Sequence, residues 1–289
     1  MSLISQLEFE LNFTQSEISL AKFILEDPEA ILDLSIQQLA GLTYCSPATI
    51  VRFTHKLGVL GYGDFKIQLA KELQYNNKQR VDVNYPFNED DNLKTVIKNL
   101  ATLYQETIDD TINLIDYSNI QKVADRLMAV ENIFVIGEGN SLTAALEFQH
   151  KMARIGKNIH VRPISGEDTF MLHVIKKPDV VIMISYSGET GHIINMAKIL
   201  KSHQIEIIAI TSIGENQLSK YATMIINVAS REKIFDKIAP FASKTSISFV
   251  LDILFSLYFK QNYDYYREFR LSHDKKYDLR HPLNSPIDK

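Results

Sequence analysis

Cysteine is nearly missing from this chain of 289 residues, and tryptophan is missing altogether. The single thiol, Cys45, can form no internal disulfide and cannot anchor a zinc finger. A reducing cytoplasm is therefore the expected compartment. The eight histidines include no pair at HxxxH spacing, so no metal is expected. Uninterrupted apolar runs stay short of the roughly 18–20 residues a spanning helix needs. The longest candidate, residues 246–259, is broken by Asp252 and three serines, so no membrane partner is expected. The opening MSLISQLEFELNFTQ has no basic stretch and carries Glu8 and Glu10, which does not fit a signal peptide.

What is present is ordinary globular material: 45% hydrophobic, 23% charged and a formal net charge of −4. The length suggests two domains. Charge is unevenly spread. Residues 34–63 hold no acid at all, where the chain average would place about four, yet they include Arg52, His55 and Lys56. The preceding 33 residues carry seven acids against one Lys22. A surface cleared of negative charge within an acidic neighbourhood suits the approach of a polyanion.

Residues 5–73 read as short helices. Apolar positions Ile18, Ala21 and Leu25 have helical spacing, and Asp27-Pro28 ends that helix. Residues 34–42 form a second helix, and Thr43-Tyr44-Cys45 is a tight turn in which Cys45 is read as a small filler. Ser46-Pro47 starts a third helix, serine capping and proline pre-organised at the first position. Gly58 stops it, and a last helix covers 64–73. Residues 74–92 are polar, as in a linker. Residues 93–115 form a long amphipathic helix, and Ser118 with Gln121 looks like a capping box. From Asn132 the pattern changes to β-branched runs at 133–136, 159–162, 180–185, 207–211 and 224–228, alternating with helical stretches. Runs apolar throughout belong to strands buried on both faces, hence a five-stranded parallel sheet covered by helices. A helix over 243–258 closes the domain, and the tail is a partly ordered extension.

Two helices joined by a tight turn, the second opened by Ser46, make a helix-turn-helix pattern. The second helix would lie in a major groove. Ser46 and Thr49 offer short hydroxyls, Arg52 sits one turn later for phosphate or guanine, and Lys56 continues the stripe. Ile50, Phe53 and Leu57 face the core. The stretch SIQQLAGLTYCSPATIVRFTHKLGVLGYGDFKIQLAKEL resembles the N-terminal domain of the RpiR family of bacterial regulators, over roughly the first 75 residues. One departure is Gly61-Tyr62, where that family usually shows Gly-Phe. The resemblance implies DNA contacts by Ser46, Pro47, Thr49, Arg52, Lys56 and Lys66.

Two later strands run into Gly/Ser/Thr clusters that open helices: Gly137-Glu138-Gly139-Asn140-Ser141 and Ser185-Tyr186-Ser187-Gly188-Glu189-Thr190. Helix N-termini at the carboxyl ends of parallel strands offer unpaired N–H groups to a phosphate. The serine and threonine hydroxyls add donors. A dinucleotide reading of Gly137-x-Gly139 fails, because Leu142 holds the place of the third glycine and Arg162-Pro163 follows the next strand in place of an acid. No cofactor is expected. The run ISYSGET resembles the phosphosugar signature of SIS (sugar isomerase) domains, over about 123–262. The resemblance implies an effector site made of Gly139, Ser141, Ser185, Ser187, Gly188, Glu189, Thr190 and Ser243. Lys244 stands where related regulators usually carry Arg.

These readings give four segments: a helix-turn-helix domain at 1–77, a linker and connecting helix at 78–122, a doubly wound α/β domain at 123–262 and an extension at 263–289. The expected function is a cytoplasmic, non-enzymatic regulator of sugar or amino-sugar catabolism. Its partners would be operator DNA, a phosphorylated sugar and a second copy of itself, paired mainly through the C-terminal domain. The alternative is a phosphosugar isomerase with an accessory helical domain, for which Glu138, Glu167, Glu189 and His173 would be base candidates.

Overall fold

The structure, a computed structural model, describes residues 3–8, 13–76, 80–163, 167–229 and 231–277. Six helices form the N-terminal domain: α1 (Leu3–Glu8), α2 (Gln15–Glu26), α3 (Pro28–Asp33), α4 (Ile36–Leu42), α5 (Pro47–Lys56) and α6 (Tyr62–Asn76). Their ends are set by local chemistry. Thr14 with Glu17 and Ser35 with Gln38 form capping boxes at α2 and α4. Asp27 caps α3, with Pro28 in its first turn. Leu20, Ile24, Leu39, Ile50, Phe53, Phe65 and Leu69 meet in one core. Burying such side chains stabilises by roughly 1.5–3 kcal/mol each, so this small domain rests on that cluster.

The remainder comprises α7 (Leu93–Leu114), α8 (Tyr117–Met128), β1 (Ile133–Gly137), α9 (Asn140–Ala153), a 3-10 turn (Glu167–His173), β2 (Val180–Ile184), α10 (Gly191–Ser202), β3 (Glu206–Ser212), β4 (Met224–Val228), α11 (Phe241–Gln261) and α12 (Tyr263–Tyr277). The four strands pair in parallel in the order β1-β2-β3-β4, Ile133 opposite Val180 and Val180 opposite Glu206. One face packs against α8, α9 and α11 through residues such as Val123, Phe148 and Val250. The other packs under α10 and the 3-10 turn through Met171, Ile193 and Met196.

Two expectations need correction. The fifth strand, at 159–162, is reduced to a single bridge between Phe134 and His160, with Val135 N donating to His160 O at 2.9 Å. Proline at 163 has no N–H to extend the pairing, and Arg162 and Pro163 are exposed at the sheet margin. The start of α8 is capped not by Ser118 but by Asp116, whose carboxylate accepts from Ser118 N at 2.8 Å and Asn119 N at 3.1 Å. By length and composition, α11 also passes for a membrane-spanning helix. Here it is the central helix of the domain, with Ile247, Val250, Leu251 and Leu254 buried against the sheet side. The bridge at His160 still fixes the topology. The chain leaves β1 through α9 toward one side of it and returns to form β2 on the other, so the β1/β2 boundary is the switch point where such sheets bind ligands.

Candidate functional site

At the N-terminal domain, α5 begins as its sequence dictates. Ser46 Oγ accepts from Thr49 N at 3.1 Å and lies 2.9 Å from Thr49 Oγ1. Arg52 donates from Nη2 to Thr49 Oγ1 at 3.4 Å, so Ser46, Thr49 and Arg52 share one exposed face, with Pro47 exposed at its start. Ile50, Phe53 and Leu57 are buried on the opposite face. Lys56 is ion-paired with Glu17 of α2 at 2.8 Å and lies over the Phe13 ring. Burial pushes the Glu17 carboxyl up, but hydrogen bonds from Lys56 and Thr14 outweigh it and hold it below its ordinary value. Lys66 departs from expectation. Its ammonium donates to Leu32 O at 2.9 Å and Leu34 O at 3.2 Å, which completes the C-terminus of α3. That commitment gives Lys66 a structural task. Tyr44 was not anticipated. It adopts φ +53 in the turn before α5 and is 98% exposed.

At the C-terminal domain, an open cavity of about 200 Å³ lies over the carboxyl ends of β1 and β2. Ser141, Ser185, Ser187, Thr190 and Ser243 line it, as the sequence suggested, together with Glu138 and Asn140. Neither α9 nor α10 has a side-chain cap: Gly139 and Thr190 occupy the cap positions without a capping hydrogen bond. Thr190 Oγ1 pairs instead with Ser185 Oγ at 2.9 Å. Both helix starts border the same cavity, α9 through Asn140 and Ser141 and α10 through Thr190, a placement that suits an anion because helix N-termini carry partial positive charge.

Three of the expected residues do other work. Gly188, at φ +67, lies against the Asn216 side chain, so it shapes the loop and is not part of the lining. Glu189 turns away and accepts from Gln217 N at 2.9 Å. Gly139, at φ +55, turns the chain into α9. Ser243 reaches the cavity, but its N and Oγ both donate to the carboxylate of Glu232, at 2.9 and 2.8 Å. That side chain is fully buried and also accepts from Lys237 Nζ at 2.5 Å. Sequence reasoning missed Ile234, Lys237 and Pro240, which roof the cavity from residues 232–240, and Glu232, the carboxylate that holds Ser243 and Lys237. Tyr186 holds that roof. Its hydroxyl donates to Glu232 O and accepts from Glu232 N, both at 3.1 Å. Burial, with the Glu232 charge nearby, pushes the Tyr186 phenol above its ordinary range, so it stays protonated. Of the base candidates, only Glu138 lines the cavity.

Comparison with known proteins agrees with both halves. The helix-turn-helix domain of the rpiR family matches residues 1–76, and the SIS domain matches residues 127–257. An uncharacterised HTH-type transcriptional regulator of Caldanaerobacter subterraneus is 30% identical over 263 residues, covering 89% of this chain and 90% of that protein. One from Clostridium perfringens is 30% identical over 90% of this chain and 93% of its own length. The NanR protein of Vibrio vulnificus, solved in complex with ManNAc-6P, superposes with a TM-score of 0.57 at 24% identity, over 95% of this chain and 97% of that one. The sugar isomerase domain of an RpiR transcription factor from Sphaerobacter thermophilus gives 0.55 at 16% identity, over 62% and 98%.

A helix-turn-helix domain followed by a SIS-type α/β domain is the architecture that the two family matches give this chain. The chain belongs to the RpiR family of HTH-type transcriptional regulators.

Proposed function

We propose that this chain binds operator DNA through the exposed face of α5 and binds a phosphorylated sugar in the cavity at the ends of β1 and β2, the sugar altering DNA affinity. It would act in the cytoplasm on genes of sugar or amino-sugar catabolism. The observation that carries the reading is that two helix starts without side-chain caps both border one hydroxyl-lined cavity. Phosphate is a group that helix N-termini hold, and Lys237 and Lys244 on the cavity wall add positive charge. The ManNAc-6P complex of the similarly folded NanR supports the same ligand class. For the DNA face we retain Ser46, Pro47, Thr49, Arg52 and Lys56. For the effector we retain Ser141, Ser185, Ser187 and Thr190, with Gly139 and Gly188 shaping the loops. A ligand shifts DNA affinity only by binding two conformations unequally.

The isomerase alternative keeps one specific support, Glu138 on the cavity wall, where a carboxylate could reach a sugar carbon. Calorimetry with hexose and amino-sugar 6-phosphates, ManNAc-6P among them, and with the free sugars tests the cradle. The phosphates should bind and the free sugars should bind far more weakly; equal binding would refute it. Ser187→Ala or Thr190→Ala should cost about 1.5–3 kcal/mol, roughly ten- to a hundredfold in affinity, with DNA binding intact. Interconversion of a sugar phosphate above about 1 per second would favour the isomerase.

We also propose a homodimer. Leu93, Ile97, Tyr104 and Ile112 form an exposed apolar stripe along α7, whereas α11 spends its apolar face inside the domain. A second copy would cover that stripe and supply two reading helices for two half-sites. Light scattering should give at least a dimer at micromolar concentration; a monomer would refute it.

A further inference from the structure

The chain enters the C-terminal domain as a strap, residues 80–86, and the strap is fastened to the roof of the cavity. Asn84 is buried. Its Oδ1 accepts from Lys233 N at 2.7 Å, and its backbone O accepts from Ile238 N at 3.0 Å. Tyr85 Oη donates to Asp236 Oδ1 at 2.5 Å. Lys233, Asp236 and Ile238 all belong to the stretch 232–240 that also supplies Ile234, Lys237 and Pro240 to the cavity wall. The roof is held from beneath by Tyr186, the residue between the cradle serines Ser185 and Ser187, through its two hydrogen bonds to Glu232.

The strap is itself well seated. Val83 is buried with Leu103 and Ala242, and Asn99 Nδ2 donates to Pro86 O at 2.9 Å. Behind it, Arg231 pairs with Glu106 at 3.0 Å and with Asp110 at 3.1 Å, and Arg80 lies 3.7 Å from the same Asp110. Roof, strap and α7 are thus stitched by directional bonds, most of them partly buried. In a close-packed, hydrogen-bonded assembly, a displacement at one side repositions the other and is not absorbed. In sequence the strap follows shortly after α6 of the helix-turn-helix domain, which ends at Asn76.

We infer that the roof and strap couple the two domains: occupation of the cavity moves Tyr186 and residues 232–240, and the bonds at Asn84 and Tyr85 pass that movement to the segment that holds the DNA-reading domain. The inference rests on the reading of the cavity as a sugar-phosphate site. It assigns Asn84 and Tyr85 no contact with sugar or DNA. They set only the ratio of DNA affinities with and without the sugar, a quantity that is typically 5- to 150-fold in coupled systems.

The test uses the full chain, a duplex selected from genomic fragments by the full chain, and as probe the tightest binder among ManNAc-6P and the other 6-phosphates of the panel. Wild type, Asn84→Ala and Tyr85→Phe are compared by anisotropy for DNA and by calorimetry for the probe. Tyr85 is half exposed, so the loss of its hydroxyl leaves the fold in place. Both variants should bind the probe, and bind DNA without it, within about threefold of wild type. The affinity ratio should fall toward one in Asn84→Ala and by at least half on a logarithmic scale in Tyr85→Phe. In the wild type, hydrogen exchange at the Lys233 and Ile238 amides should change when the probe binds. A wild-type ratio in both variants, or unchanged exchange at these amides, overturns the coupling route while leaving the cradle standing. A wild type that binds no member of the panel overturns the cradle, and the coupling inference with it.

Discussion

Gly188→Ala offers a sharp test of the cradle loop. Gly188 sits at φ +67, where an L side chain costs about 1–2 kcal/mol. Its added Cβ would lie 2.1 Å from Asn216 Oδ1 and 2.7 Å from Asn216 Cβ. Asn216 cannot step aside freely. It is buried, its Oδ1 accepts from Ser219 N at 2.9 Å, and its Nδ2 donates to Thr211 Oγ1 at 3.2 Å and to Ser212 O at 3.3 Å. Swinging it out forfeits three hydrogen bonds worth about 1 kcal/mol each. The substitution should therefore destabilise the C-terminal domain by about 3–5 kcal/mol, or displace residues 185–190 and lower sugar-phosphate affinity more than tenfold. Urea denaturation, with hydrogen exchange at the β2 and β3 amides, reads the first outcome, and calorimetry reads the second. In an Asn216→Gly background, which already lacks the obstacle and its three hydrogen bonds, Gly188→Ala should cost only the backbone term of about 1–2 kcal/mol. If Gly188→Ala alone matched wild type in both stability and affinity, the steric reasoning would be wrong.

Arg52→Ala should cost about 1–3 kcal/mol in operator binding with little effect on random duplex, measured by anisotropy; an equal loss on both would mean that Arg52 meets only phosphate. Glu17→Gln should release Lys56 from its ion pair, raise affinity for random duplex and steepen the dependence on salt by about 0.9 in log–log slope. The same pair predicts acid behaviour. Because the folded Glu17 value is held below its ordinary 4.5, its contribution to stability is present above that value and is lost as pH falls through the folded one. Acid melts of wild type and Glu17→Gln should converge at low pH, and parallel curves would refute the assignment.

Much of this could be read from the sequence because local chemistry and burial agreed. Ser46-Pro47 placed the start of α5 correctly, and the β-branched runs of β1 to β4 were found within a residue or two, β1 to β3 because they are buried on both faces. The run at 159–162 alternates instead, Ile159-His160-Val161-Arg162, and it lies at the sheet margin with Pro163 behind it, so only a single bridge forms there. The cradle loops were legible from their residue types. Side-chain direction within them was not: Glu189 leaves the loop on the side of Gln217. Lys66 likewise carries the right charge but finds the carbonyl ends of α3 from the other side of the domain core. The roof at 232–240 has no periodicity. Its place depends on Tyr186 meeting Glu232 across 46 residues of sequence, a contact that no local rule announces.

The packing of α7 has a consequence for how such a gene could be cut and rejoined. The SIS family match begins at residue 127, yet Leu103, Thr107 and Thr111 of α7 are buried, and Val83 is buried with Leu103 and Ala242. The heritable unit of the sensory half is therefore longer than its family boundary. A recombination event that exchanged DNA-reading heads would preserve the receiving core only if the crossover fell at 77–79, between α6 and Arg80. A crossover at the family boundary would instead set one parent's α7 against the other's α11, across the packing of Leu103 on Ala242.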